Sequence, residues 1–87
     1  MSVVEDMGDA LARDVLDACA ELGDDRFFEK VSKVLLDASP TMQEAFMTAV
    51  RVRLAERRAR AFVEQTLKAK RQGTAAPKAP PGGDGGH

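Results

Sequence analysis

Between Thr41 and Gln72 the chain has no glycine and no proline, and Ala, Arg, Glu, Gln, Leu and Lys dominate it. These are the residues that lose least on entering a helix. The stretch reads as about 32 residues of unbroken helix, ~48 Å long at 1.5 Å per residue. Any fold open to this chain must accommodate that rod.

Two shorter helices precede it. Val4, Met7, Leu11, Val15, Ala18 and Leu22 recur at three- and four-residue intervals, an apolar stripe that predicts helix over 4–22. Glu5, Asp6 and Asp9 sit at the favourable, positive end of its dipole. Gly8 would weaken these first turns by up to ~1 kcal/mol relative to Ala. Gly23 suits a left-handed C-terminal stop. Helix 2 is expected over 25–38, capped by Asp24 or Asp25. Its stripe is Phe27, Phe28, Val31, Val34, Leu35 and Ala38, and Glu29 and Lys33 are spaced for an ion pair. Pro40 ends it. The third helix is capped either by Ser39, with Pro40 at its first position, or by Thr41 with Glu44 three residues on.

The expected fold is therefore all-α: a three-helix domain over 1–72 with a long third helix over 41–72. Helices of about 19 and 14 residues reach only ~28 and ~21 Å. They would leave about half of the third helix to project, bend or find a partner. From Gly73 to His87 the composition shifts to five Gly, three Pro and four small residues. Such a segment cannot bury enough surface to offset its ordering entropy, so a disordered tail is expected. Pro77 and Pro80 make a PxxP spacing, which follows from composition alone.

Charge divides along the same line. Residues 1–50 carry eleven acids against four bases, a net of −7, and residues 51–72 carry eight bases against Glu56 and Glu64, a net of +6. The formal −1 of the whole hides an acidic head and a basic arm, an asymmetry that points to an acidic partner or to self-pairing. A core this small buries only ~60% of its unfolded surface. Cys19 is the single cysteine and His87 the single histidine, so no disulfide or Cys/His metal site can supplement that core and association is the remaining device. The start, Met1 to Asp6, has no signal-peptide character. No apolar run reaches the ~18 residues of a membrane span. One unpaired thiol fits a reducing cytoplasm. The richness in Ala, Arg, Asp and Val is what a high-GC bacterial genome tends to give.

Catalytic chemistry finds no foothold. Cys19 lies beside Ala18 on the apolar stripe with no histidine in the folded region to activate it. Asp6, Asp9, Asp14 and Asp17 read as a solvated acidic face, since no calcium-loop spacing is present. No enzyme activity, metal or cofactor is expected, and no family motif can be read.

The informative stretch is the arm. Met42, Phe46, Ala49 and Val50 form one apolar side of the third helix. Farther on, that sector holds Arg53, Arg57 and Arg60, and the apolar groups move to Val52, Ala55, Ala59, Phe62, Val63, Thr66 and Leu67. A helix that changes face midway serves two contacts. Glu56, Arg60, Glu64 and Lys68 make an i,i+4 ladder of alternating sign, and Lys70 and Arg71 suit the helix C-terminus. Arg51, Arg53, Arg57 and Arg58 have no such internal reason. The expectation is a non-enzymatic interaction module, a small regulator or adaptor. Val52, Ala55, Ala59, Phe62, Val63 and Leu67 would dock on an acidic helical partner or a second copy, and Arg51, Arg53, Arg57 and Arg58 would steer it. The alternative is a nucleic-acid-binding transcriptional regulator gripping phosphates with the 51–71 arginines. The acidic pI of about 5.8 disfavours that alternative.

Overall fold

The computed structural model describes residues 2–81. Among them are three α-helices, α1 (Val3–Leu22), α2 (Phe27–Ala38) and α3 (Pro40–Gln72), and no strand. The chain divides into two compact units, Met1–Ala55 and Glu56–His87.

Local chemistry sets the helix ends. Ser2 and Glu5 close a capping box: the Ser2 hydroxyl accepts from the Glu5 N–H at 3.1 Å, and the Glu5 carboxylate accepts from the Ser2 N–H at 3.2 Å. Two free donors of the first turn are thereby satisfied. At the other end Gly23 takes the left-handed conformation (φ 68°). Its N–H donates to the Ala20 carbonyl, and the Asp24 N–H donates to that of Cys19 at 3.0 Å, as a glycine stop requires.

α2 begins two residues later than the sequence suggests. The Asp24 carboxylate accepts from the Arg26 N–H at 3.0 Å, and the Asp24 carbonyl from the Phe27 N–H. This side-chain turn holds 24–26 out of the helix. Glu29 pairs backward with Arg26, at 2.8 and 3.0 Å, rather than forward with Lys33. α3 opens with Pro40 as its first residue, and the Ser39 hydroxyl accepts from the Met42 N–H at 3.2 Å. Of the two capping schemes open to the sequence, Ser39 with Pro40 is the one used. The helix then runs 33 residues without a break.

In the first unit Ala12, Val15, Leu16, Cys19, Phe46 and Val50 form the buried cluster, with Leu11, Phe27, Phe28, Val31, Leu35, Met47, Ala49 and Leu54 against it. The buried side of α1 overlaps the expected stripe at Val15, which is buried, and at Leu11, which packs on the core, but it is turned away from the rest. Met7 and Leu22 are 55% and 59% exposed, and Gly8, Ala12, Leu16 and Cys19 are buried. The face is turned by roughly 80° at 100° per residue.

Small residues explain the turn. A Cβ built on Gly8 would stand 2.9 Å from the Ala45 carbonyl carbon and 3.1 Å from the Phe46 nitrogen. The backbones of α1 and α3 thus approach as closely as glycine permits, with Ala12 fully buried on the same side of α1. Gly8 is the crossing point, not merely a weakness in the helix. That approach seats Phe46 and Val50, which are completely enclosed, and burying a phenylalanine contributes ~1.5–3 kcal/mol.

α2 covers the crossing less fully. None of its residues is buried, and Val34 and Leu36 face outward. One polar tie fixes its register on α3: the Gln43 amide donates to the Ser32 hydroxyl at 2.9 Å.

In the second unit, α3 ends at Gly73 (φ 71°), and the Thr74 N–H donates to the Ala69 carbonyl at 2.9 Å. Residues 74–81 form no helix or strand, consistent with the composition. They nevertheless turn back along α3, with Pro77, Ala79 and Pro80 beside Ala61 and Phe62. Ala69 is buried there. The remainder of the expected disordered tail, 82–87, lies outside the described residues.

The crossing yields a signed prediction. Gly8→Ala gains up to ~1 kcal/mol of helix preference, but the overpacking it forces costs ~1–3 kcal/mol, because the atoms it meets belong to backbone. The variant should melt several degrees below wild type, with ~4–8 °C corresponding to a net loss of 1 kcal/mol in a domain this size. Thermal unfolding followed by circular dichroism checks it, and an unchanged or raised midpoint would mean the crossing can relax.

Candidate functional site

Docking chemistry needs exposed apolar surface bordered by charge, so the exposed residues of α3 define the site. Within the first unit, Arg51, Val52 and Ala55 are exposed. Val52 lies on the lip of an open groove of about 880 Å³ between the start of α1 and the start of α3. Val4, Ala45 and Ala49 give this groove apolar walls, and Glu5, Asp9 and Glu44 line it with carboxylates.

Arg53 is not free. Its Nε donates to Asp9 Oδ1 at 2.8 Å and its Nη2 to Asp9 Oδ2 at 3.0 Å, a two-pronged pair joining α3 to α1. The hydrogen bonds from Arg53, with its positive charge and that of Arg13 adding to them, hold the Asp9 carboxyl below its usual value of 3.8. The same bonds raise the Arg53 guanidinium above its usual range. The sequence treats Arg53 as uncompensated and Asp9 as part of a solvated face. They find each other because α1 and α3 cross at Gly8 and Ala45, next to Asp9 in α1 and about two turns before Arg53 in α3.

In the second unit the apolar set is exposed, with Ala59, Phe62 and Val63 bordering the 77–80 segment on one edge. Phe62, Val63 and Leu67 are 36%, 54% and 47% exposed, and Ala59 is exposed beside them. At 100° per residue Ala59, Phe62, Val63, Thr66 and Leu67 occupy an arc of about 140°. Thr66 does not interrupt its apolar character, since its hydroxyl donates to the Phe62 carbonyl at 2.8 Å, an internal satisfaction common for helical threonine.

The arginines divide around that arc. Arg58 flanks it, and together with Phe62, Gln65, Pro77 and Pro80 it lines a second groove of about 670 Å³. Arg57 falls on the opposite side of the helix, because neighbouring positions diverge by 100°. Arg60 is engaged by Glu56, its Nε donating at 2.7 Å. Among the described residues this first link is the only closed part of the expected Glu56–Arg60–Glu64–Lys68 ladder. Lys70, which suits the helix dipole, also falls within the arc at its C-terminal end.

Cys19 is enclosed in the core of the first unit. Among the described residues no cluster of three metal-ligating side chains occurs, and no helix is long and apolar enough to cross a membrane. No family model matches this chain, and no curated protein or solved structure matches it either.

The Asp9–Arg53 pair has a pH signature. Asp9 titrates lower in the folded chain than in the unfolded one, so its contribution is fully present above the usual carboxylate value of 3.8 and disappears as pH falls through its lowered folded value. Both side chains are partly exposed, so solvent screening keeps the effect modest. Asp9→Asn should be less stable than wild type near neutrality, and the gap should close in acid. Arg53→Gln should abolish that pH-dependent gap. Urea unfolding across pH measures both, and a gap that persists unchanged in acid would deny the pair its role.

Proposed function

We propose that this chain is a non-enzymatic interaction module, a small regulator or adaptor, whose α3 docks a helical protein surface of acidic character. The observation that carries the reading is the open arc of Ala59, Phe62, Val63 and Leu67, bordered by Arg58 and Lys70. An amphipathic helix that binds in a groove presents anchors at i, i+3, i+4 and i+7. Ala59, Phe62, Val63 and Thr66 have that spacing. In this reading the apolar arc supplies affinity, and Arg58 and Lys70 supply orientation and a faster encounter. In the first unit Arg51, Val52 and Ala55 are exposed in their own right, Arg57 faces away from the arc, and Arg53 serves the fold.

Phosphate binding draws less support from the same residues. Arg53 and Arg60 are occupied by carboxylates, and Arg57 and Arg58 diverge around the helix. Arg57, Lys68 and Arg71 fall within about 60° of one another at 100° per residue, but Glu64 stands among them, so that basic side is interrupted by a carboxylate.

Exposed positions allow a clean test. Phe62→Glu with Leu67→Glu should leave the helicity intact while removing association, whether with itself or with a partner, and should lower hydrogen-exchange protection across 59–67 in the associated state. Solution mass and exchange mass spectrometry measure these. If wild type and variant give the same mass and the same protection, the arc is not the docking surface. A gel-shift titration in low salt addresses the phosphate alternative, which requires retardation that weakens steeply as salt rises.

A further inference from the structure

The two units carry surfaces of opposite sign and matching form. The first unit holds eleven acids against six bases, and residues 56–72 hold six bases against two acids. The groove in the first unit has apolar walls from Val4, Ala49 and Val52, and Glu5 and Glu44 stand on it as carboxylates that pair with no cation among the described residues, Glu5 accepting only the Ser2 N–H. Asp9, the third carboxylate there, is already neutralised by Arg53. The arc in the second unit is the inverse: an apolar row of helical spacing with Arg58 on one flank and Lys70 at its end.

We infer that the groove between α1 and α3 receives the 59–67 arc of a second copy of this chain. The inference rests on the docking role assigned to that arc above and names its receptor. The reasons are physical. Small side chains at Ala45 and Ala49 let an incoming helix approach closely, as Gly8 lets α1 approach Ala45 from the neighbouring side. Phe62, Val63 and Leu67 would leave water against Val4, Ala49 and Val52. Arg58 and Lys70 would meet Glu5 and Glu44, opposite charges that set register and exclude wrong partners. Two copies carry only −1 each, so no large like charge opposes their encounter. Joining a groove to an arc pairs unlike surfaces. The contact closes into a dimer if each copy gives its arc to the other, and otherwise grows as a chain.

Complementation tests the inference. Thr48→Trp fills the groove from an exposed position and leaves the arc intact. Leu67→Glu spoils the arc and leaves the groove intact. Glu44→Lys, a surface change without a packing role, provides a groove variant whose folding is secure. Circular dichroism and melting verify each fold, and sedimentation velocity over a wide concentration series gives the masses. Wild type should self-associate more strongly as salt is lowered. Each variant alone should associate at least about tenfold more weakly, as loss of complementary charge or of an anchor predicts. Mixing Thr48→Trp with Leu67→Glu should recover a heterodimer, since one intact groove and one intact arc remain. Groove variants that associate like wild type, with Leu67→Glu still impaired, would overturn the groove as receptor and leave the docking arc standing. A wild type that stays monomeric throughout would overturn self-pairing, again without touching a foreign helical partner. Association unaffected by Leu67→Glu would sink both readings.

Discussion

The closest approach of two backbones governs the first unit. Where Gly8 passes Ala45, no side chain larger than hydrogen fits on α1, and the rest of that unit follows from the contact. It brings Ala12 down onto α3 and encloses Phe46 and Val50. It sets Asp9, the residue next to the crossing, where the Arg53 guanidinium can hold both its carboxylate oxygens. It also leaves, on the flank where Val4 and Ala49 face each other, the groove bordered by Glu5 and Glu44. One glycine thus connects packing, an interhelical ion pair and a candidate receptor surface.

The unit built on that contact is thinly insulated. Six residues form its buried cluster, and α2 contributes only partly covered side chains to it. Small domains of this kind have little surplus stability, and burial of further apolar area against another chain would contribute where the core does not. The exposed Phe62, Val63 and Leu67 belong to the same economy of size. Residues 74–80 lie along the flank of α3 beside Arg58 and Phe62, so any partner of the arc meets an edge already occupied by this chain's own proline-rich segment.

The candidate site was only half legible in the residues. Periodicity named the apolar set 59, 62, 63 and 67, because a helix of known pitch fixes which side chains share a face. It could not sort the arginines. Arg53 and Arg58 look alike in sequence, and only the crossing of α1 shows that one is held by Asp9 while the other has no carboxylate partner among the described residues. The groove was invisible for the same reason, since Val4 and Val52 are far apart in sequence and meet only across two helices. The Ser2–Glu5 capping box was present as a serine followed three residues later by a glutamate, a signal open to reading.

By itself the sequence determined the all-α class, the three helices, and their stops at Gly23, Pro40 and Gly73, because these rest on backbone conformations that individual residues favour or forbid. It also determined that charge segregates along the chain. Only the tertiary structure decided which side of α1 is inside. The apolar stripe pointed to Met7 and Leu22, which are exposed, because two helices pack most closely where their side chains are smallest, and that put Gly8, Ala12 and Leu16 at the interface.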